Sequence, residues 1–528
     1  MLNRTFLKVI LVYAMMTLFV YCDAQTHVII NDPATWSATE LRAYGSDIIF
    51  DVPMYVCSYS NNSITISPRR NYAPTNQEYP RTTAYNDFLQ INSSGNMTLT
   101  GATGYSSPLR TGMTIQNLRA TKTGNTSLEF VSGNWVGNSR TDLQNLDIHK
   151  AIGVTYENKD SVIVVCGFNV ENYDTKATSH DRQKEKVCSA LAKINADIYG
   201  LAELRPGEEA IKEITNELNS RLGGNGKSYT FIGDGTSYSA TGQKVGFIYD
   251  SKKVTLVGRV QDNNAIVSDR KKMVGFRDLR SDEVFIFSMN HFKAKVGTGT
   301  GDNADKGDGQ GQFNADRVTE ARSVVSAYSL ERSMIEDPDI LIMGDLNANG
   351  KEDPITYFCR SRMTDLHRHF HADSSYSYSF RGEAGYLDHA LCSQSLLPQV
   401  LGMMPFHINS DESGNSDYTM FRCSDHDPVI VALKLNSQAI QPTLGIQNVF
   451  NSSAKSIGDE IRITNAKLTD QPAFYKLYDV NGNLYAEGEI PTNDYNITIP
   501  TTPGIYCLWV LHHNEGEGSV SRQKIIVY

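Results

Sequence analysis

Between residues 161 and 435, uninterrupted apolar runs alternate with stretches of helical periodicity, and this alternation constrains the fold more than any other feature. Residues 161–170, 198–203, 245–249 and 284–290 read as buried strands, as do the runs beginning at Ile340, Leu387 and Val429. Between them, residues 180–195 place Val187, Leu191 and Ile194 on one helical face, and 207–222 and 313–332 read as further helices. A strand without polar alternation needs cover on both faces, which predicts an α/β domain over 155–436.

The two ends are different. Residues 1–24 carry a basic start (Arg4, Lys8), an apolar run at 9–21 and a small-x-small end, Cys22-Asp-Ala24, which predicts a secretory signal peptide. That run is short for a membrane span, and no second stretch of about 18 apolar residues follows. A soluble, exported chain with no integral span is expected. Residues 25–150 are rich in Ser, Thr and Asn. Short strands are read at 48–59, 63–67, 87–91, 113–119 and 127–131, with a helix-like piece at 37–44, a pattern that predicts a small β-barrel. In residues 440–528, Asn481-Gly482 between apolar runs at 476–480 and 484–488 signals a hairpin, and further strands at 495–499, 505–511 and 523–528 predict a small β-sandwich.

A net charge of −10 argues against a broad, salt-driven nucleic-acid binder, though not against an enzyme that grips a phosphodiester locally. Apart from Cys22, cysteines stand at 57, 166, 188, 359, 392, 423 and 507, scattered through a chain long enough to fold without staples. Cys166 and Cys392 lie in strand-like runs and read as core residues, and the lack of a CxxC pair speaks against a zinc ribbon.

Polar residues collect where the apolar runs end. Asp345 and Asn347 follow the run 340–343, spaced by two so that both point the same way along a strand, with an Asx turn closing that strand as the alternative. Asp425-His426 precedes the run at 429, and Asn169, Glu203 and His291 end three others. Hydrolysing a phosphodiester requires charge neutralisation and an activated water, and hard oxygen donors suit Mg²⁺ or Mn²⁺, with Ca²⁺ as an alternative structural ion. Asn169, Glu203, Asp345, Asn347 and Asp425 are the candidate ligands, and His291 and His426 the candidate acid–base groups. Asp388 is placed to orient His426. Lys293 and Lys295 are read as phosphate grips in preference to solvated charges.

Three further features have competing readings. Residues 297–311 contain Asp302, Asp305 and Asp308 but miss calcium-loop spacing at Ala304, so a flexible active-site loop is expected. His367, His369 and His371 alternate on one face of an extended segment, with zinc binding as the minor alternative. Tyr376, Tyr378 and Phe380 either stack bases or pack the rim of the core.

The ordered motifs Phe168-Asn-Val-Glu-Asn172, Leu201-Ala-Glu-Leu204, Met289-Asn-His-Phe-Lys293, Gly344-Asp-Leu-Asn347, Tyr386-Leu-Asp-His389 and Ser424-Asp-His-Asp-Pro428 resemble the endonuclease/exonuclease/phosphatase superfamily. Gly307-Asp-Gly-Gln-Gly311 with Asn314 and Arg317, and His407-Ile-Asn-Ser-Asp-Glu412, are similar to the large secreted bacterial nucleases. The resemblance implies a four-layer sandwich of two mixed sheets flanked by helices. It makes Glu203 the main metal carboxylate with Asn169 beside it, and gives Asp345, Asn347 and Asp425 to metal or the attacking water. It implies that His426, paired with Asp388, acts on the water or the phosphate and that His291 is a general acid, with Arg205, Lys293 and Arg317 meeting substrate. Residues 25–150 resemble an oligonucleotide/oligosaccharide-binding barrel. Residues 440–528, with Tyr478-Asp-Val-Asn-Gly482 and Lys524-Ile-Ile-Val527, resemble a type IX secretion sorting domain.

The expected function is a secreted, metal-dependent nuclease that cleaves extracellular DNA with little sequence selectivity, RNA being a second substrate. It is expected to be a monomer outside the cell or on its outer surface, with the type IX machinery as a partner. The competing readings are a phosphodiesterase or phosphatase of the same fold acting on a phospholipid or small phosphoester, and an adhesion protein with an inert centre.

Overall fold

The computed structural model describes residues 27–60, 62–92, 94–105, 108–262, 269–412 and 417–435, together with seven strands between 453 and 527. The chain divides into two compact units, one ending at Ser437 and one starting at Gln438. The expected signal peptide lies outside the described residues.

The first unit opens with seven strands: β1 (His27–Val28), β2 (Asp47–Phe50), β3 (Met54–Ser60), β4 (Ser63–Ser67), β5 (Met97–Thr100), β6 (Thr114–Lys122) and β7 (Ser127–Val136). They run in the order β1-β2-β6-β3-β4-β5-β7, and β6 also pairs with β7. The ring β3-β4-β5-β7-β6 therefore closes on itself, around a core that includes Val56, Ile66, Leu99, Leu118 and Leu128. Closure removes the edges an open sheet would expose. The strand expected at 87–91 is a helix instead, Thr83–Asn92. Thr82 Oγ1 accepts from Tyr85 N at 3.1 Å, an N-terminal cap that outweighs a short apolar run.

The central region contributes β8 (Ile163–Tyr173), β9 (Ile198–Leu204), β10 (Tyr229–Phe231), β11 (Lys244–Asp250), β12 (Val254–Asp262), β13 (Lys271–Asp278) and β14 (Val284–His291). It continues with β15 (Ile340–Asp345), β16 (Met363–Asp365), β17 (Tyr378–Phe380), β18 (Glu383–Gly385), β19 (Asp388–Ser393), β20 (Val400–Pro405) and β21 (Val429–Leu433). Two six-stranded mixed sheets result, β10-β11-β9-β8-β21-β20 and β12-β13-β14-β15-β19-β16. The continuous apolar strands follow from their burial on both faces. Along β8, Val164, Cys166, Phe168 and Val170 pack toward the helices His180–Ile194 and Glu209–Leu222, while Ile163 and Val165 pack against the other sheet. Along β15, Ile340 and Ile342 face the helices Asn314–Ile335 and Asp353–Arg360, and Leu341 and Met343 face inward. This period of two places four layers in the order helix, sheet, sheet, helix.

The segment holding His367, His369 and His371 is not extended but a helix, Leu366–His371, because Asp365 caps it by accepting from His367 N at 2.9 Å. His367 Nδ1 meets Ser375 Oγ and His371 Nε2 meets the Met403 carbonyl, so the three rings share no site. Among the described residues, Cys57, Cys166, Cys188, Cys359, Cys392 and Cys423 are free thiols. Among the described residues no helix is long and apolar enough to cross a membrane.

The second unit has a three-stranded sheet, Ser453–Ile457, Glu460–Thr464 and Tyr495–Thr498, and a four-stranded one built from Ala473–Asp479, Leu484–Ile490, Gly504–Asn514 and Glu517–Val527. Ala473–Asp479 and Leu484–Ile490 pair antiparallel around the expected hairpin, whose turn residues lie outside the described set.

Candidate active site

Strand register brings the candidate residues to one edge of the two facing sheets. The parallel pair β14–β15 sets His291 opposite Asp345, and the antiparallel pair β15–β19 sets Asp345 opposite Asp388. The other sheet supplies Asn169 from β8 and Glu203 from β9, and Asp425-His426 sits just ahead of β21. Backbone geometry at this edge is unusual. Glu171, Asn172, Glu203 and Asn347 all have positive φ, and the β8–β9 register shifts between Asn169 and Tyr173. Such conformations persist where surrounding structure over-determines them, and here they re-aim side chains toward one point.

Gly344 leaves no room for a side chain. Its φ is +125°, and a Cβ there would lie 1.9 Å from the Asn290 carbonyl oxygen. Gly344→Ala should therefore cost on the order of 4 kcal/mol or abolish folding, a size reserved for overpacking and forced backbone strain. A circular-dichroism melt checks this, and a variant melting like wild type contradicts it.

Asn347 reaches the site by a turn rather than by strand alternation. Its amide donates to Asp345 Oδ1 at 2.9 Å, and its side-chain Nδ2 lies 3.2 Å from Asp345 Oδ2 and from the Phe292 carbonyl. The spacing of two thus reflects an Asx turn that closes β15, which corrects the strand-register reading.

Asn169 Nδ2 bridges Glu203 Oε1 at 3.2 Å and Asp345 Oδ2 at 3.1 Å. His291 Nε2 stands 3.5 Å from Glu203 Oε1 and 3.6 Å from Asp345 Oδ2. Donor atoms of Glu203, His291 and Asp345 lie within 4.8 Å of one another, a grouping able to hold a metal ion. The electrostatics agree. Burial and then the Asp345 charge push the Glu203 carboxyl up, and burial pushes Asp345 up to about 6. Buried carboxylates whose pKa values are raised in this way favour a nearby positive charge, which a hard divalent cation supplies. Asp425 sits further out, at 32% side-chain exposure and 4.0 Å from His426 Nε2, so it borders this grouping rather than belonging to it.

Beside the acids, His426 Nδ1 lies 2.7 Å from Asp388 Oδ2, and its Nε2 points at Asp345 Oδ2, 3.7 Å away. Ser377 Oγ donates to the same Asp388 oxygen at 2.8 Å. Burial disfavours the imidazolium, but Asp388 and Asp345 override it and hold the His426 pKa well above the usual histidine range. His291 is the opposite case. Burial, reinforced by Arg270, pushes it well below that range, and its Nδ1 has no hydrogen-bond partner among the described residues. Two histidines with pKa values driven apart are suited to different proton-transfer tasks.

Arg205 lines a cleft of about 470 Å³ together with Asn172, Gln243 and Arg270. Arg270 was invisible to motif reasoning, because a lone arginine ahead of a strand carries no spacing signal. It donates to the Phe292 carbonyl at 2.9 Å and feels the charges of Asp345 and Glu203. Ser377 and Tyr378, whose ring lies 4.7 Å from that of His426, were equally silent or ambiguous in the sequence.

Of the other expected substrate contacts, Lys293 is half-buried, with its Nζ 4.1 Å over the Phe313 ring. Lys295 is ion-paired with Glu352 at 2.6 Å. Arg317 does not face substrate. It is fully buried and donates to the carbonyls of Gln310, Gln312 and Lys293, pinning the 297–311 segment expected to be a flexible loop. Arg81 pins the same segment through Asp308. Arg317→Ala should thus lower stability by on the order of 3 kcal/mol, since each buried acceptor left unsatisfied costs ~1–3 kcal/mol, and should leave KM nearly unchanged. Melting curves and steady-state kinetics separate the two effects. A large KM rise in an equally stable variant contradicts the pinning role.

Residues 166–426 match the model of the Endonuclease/Exonuclease/phosphatase family. The central region is a domain of that family. No curated protein matches the chain. Among solved structures, a family member from Bacteroides thetaiotaomicron is similar at 16% identity and a TM-score of 0.37, covering 52% of this chain and 94% of its own. The human Nocturnin catalytic domain with bound sulfate aligns at 13% identity and 0.36, covering 52% and 94%. D. rerio TDP2 complexed with a single-strand DNA product aligns at 13% and 0.35, covering 52% and 100%. The family domain contains every candidate ligand and both histidines, whereas the barrel and the C-terminal unit lie outside the match.

Proposed function

We propose that this protein is a secreted, divalent-metal-dependent nuclease that hydrolyses phosphodiester bonds of DNA. The observation that carries the reading is the convergence of Glu203, His291 and Asp345 on one point with the Asp388–His426 pair against it. Glu203 and Asp345, with Asn169 and Asn347 bracing them, would hold Mg²⁺ or Mn²⁺, which supplies Lewis-acid neutralisation of the phosphoryl oxygens. His426, kept cationic by Asp388, points its Nε2 toward Asp345 and from there would donate a proton to a phosphoryl or leaving oxygen. Asp388, itself fixed by Ser377, holds the imidazole in one tautomer. His291, kept neutral, would offer a ring nitrogen to an ion held by the same carboxylates.

A polynucleotide is favoured over a small phosphoester by the cleft beside Glu203. Arg205, which also pairs with Asp174 at 3.5 Å, and Arg270 line it together with Asp269, and the two guanidiniums extend the positive surface beyond a single phosphate. The closed five-strand barrel, with β5 and β7 parallel, supports an oligonucleotide/oligosaccharide-binding type of module. The leader-like residues 1–24 and the motifs in 440–528 support export through a type IX route to the cell exterior. The deciding experiment presents the purified protein with plasmid DNA, RNA, a phospholipid and a small phosphomonoester in Mg²⁺. Nicking and linearisation of plasmid are expected. Turnover of only the lipid or the monoester would overturn the substrate assignment.

A further inference from the structure

Asp411 and Glu412 lie buried at the join between the barrel and the family domain, and barrel-side groups hold both. Asp411 accepts from Arg70, from Thr111 Oγ1 at 2.7 Å and from Asn138 Nδ2 at 2.8 Å. Glu412 pairs with the fully buried Arg110 and with Arg140 Nη2 at 2.7 Å, and Arg110 also donates to the His407 carbonyl. Buried charges of this kind are tolerated only when tightly paired, and their best-attested use is to fix a register. A tethered, independent module would meet its neighbour through a looser, more solvated surface.

Two routes lead from these arginines to His426. On the first, the loop 407–412 that Arg110 holds wraps Asp427, whose Oδ1 accepts from Asn409 N at 2.8 Å and Ser410 N at 3.0 Å. From the same loop, Asn409 Nδ2 donates to the His426 carbonyl at 2.6 Å. The second runs through Arg70, whose guanidinium lies 3.9 Å over the Tyr376 ring, itself stacked on His407 at 3.7 Å. Tyr376 donates to Asp411 Oδ2 at 2.7 Å, the adjacent Ser377 fixes Asp388, and Tyr378 packs on the His426 ring. Backbone and imidazole of His426 are thus both fixed through groups that the barrel holds.

We propose that the barrel is a structural part of the active site, with Arg70 and Arg110 acting as positioning residues that set the His426–Asp388 pair. This rests on the hydrolase reading above. Both routes end at one imidazole, so loosening either tilts it without touching ligands or substrate. A misplacement of 1 Å costs roughly 10²-fold in rate, so even partial loosening is measurable.

The test compares Arg70→Ala, Arg70→Lys and Leu99→Ala on plasmid DNA with Mg²⁺, at a temperature where all are folded. Leu99 lies in the barrel core and makes none of the contacts of either route, so its truncation should lower stability without removing a grip on Asp411. Arg70→Ala should lose about 10-fold or more in kcat with KM little changed, Arg70→Lys should recover part of it, and Leu99→Ala should keep wild-type kcat. A folded Arg70→Ala variant with wild-type kcat overturns the proposal, as does an equal kcat loss in Leu99→Ala. If Arg70→Ala does not fold, Tyr376→Phe, which removes one hydroxyl, carries the same expectation and the same contradiction. The ¹⁵N resonances of the His426 ring give a readout that needs no turnover. If the wild type is inactive yet Arg70→Lys shifts those resonances, the positioning role stands and the hydrolase reading falls. Unshifted resonances overturn the positioning role.

Discussion

Replacing His426 by alanine should lower kcat on plasmid DNA by roughly 10³-fold, and Asp388→Asn nearly as much, while the double variant loses scarcely more than either. Residues that act together on one step are non-additive in this way. The bond of 2.7 Å between His426 Nδ1 and Asp388 Oδ2 makes the two a single unit. Asp388→Asn removes the charge that keeps the imidazole cationic and presents an amide that competes for a different tautomer. Independent contacts would instead multiply their losses. Multiplicative losses across the cycle would show that Asp388 serves the metal or substrate separately.

The second large effect belongs to Glu203. Glu203→Gln keeps the shape and the bond to Asn169 but removes one of the two carboxylates that face each other across the site. A rate loss of ~10²–10³-fold is expected, the scale of a lost electrostatic contact in a transition state. The same change relieves repulsion with Asp345 but gives up the bond that Glu203 Oε2 accepts from Asn172 N at 3.0 Å, so the metal-free variant should melt close to wild type. That pairing of lost activity with kept stability distinguishes a functional carboxylate from a structural one. Near wild-type cleavage by a folded Glu203→Gln protein would remove Glu203 from the mechanism.

Much of this edge was legible because polar residues interrupt strands that are otherwise apolar. Asn169, Glu203, His291 and Asp345 each end such a run, and the structure brings all four together. The strand β13 has no legible apolar pattern because Lys271, Lys272 and Arg277 interrupt it, and Arg259 and Gln261 do the same in its partner β12; Lys271 is buried against Glu320, which meets it at 3.0 Å. Thr83–Asn92 is a helix where the pattern at 87–91 reads as a strand, because its cap, Thr82, is a weaker signal than its run of apolar residues. Arg317 was assigned to substrate on a motif, although a buried arginine serving three carbonyls has the same sequence signature as an exposed one. The long-range grips on Asp411 and Glu412 carry no local pattern at all, since their partners are some 270 to 340 residues away.

The most direct test is the rate of plasmid cleavage by the purified wild-type protein, first in excess chelator and then after Mg²⁺ or Mn²⁺ is restored. Oxygen donors from Glu203 and Asp345, close enough to share one ion, predict no cleavage in chelator and full recovery on add-back. Undiminished cleavage in chelator would contradict the account.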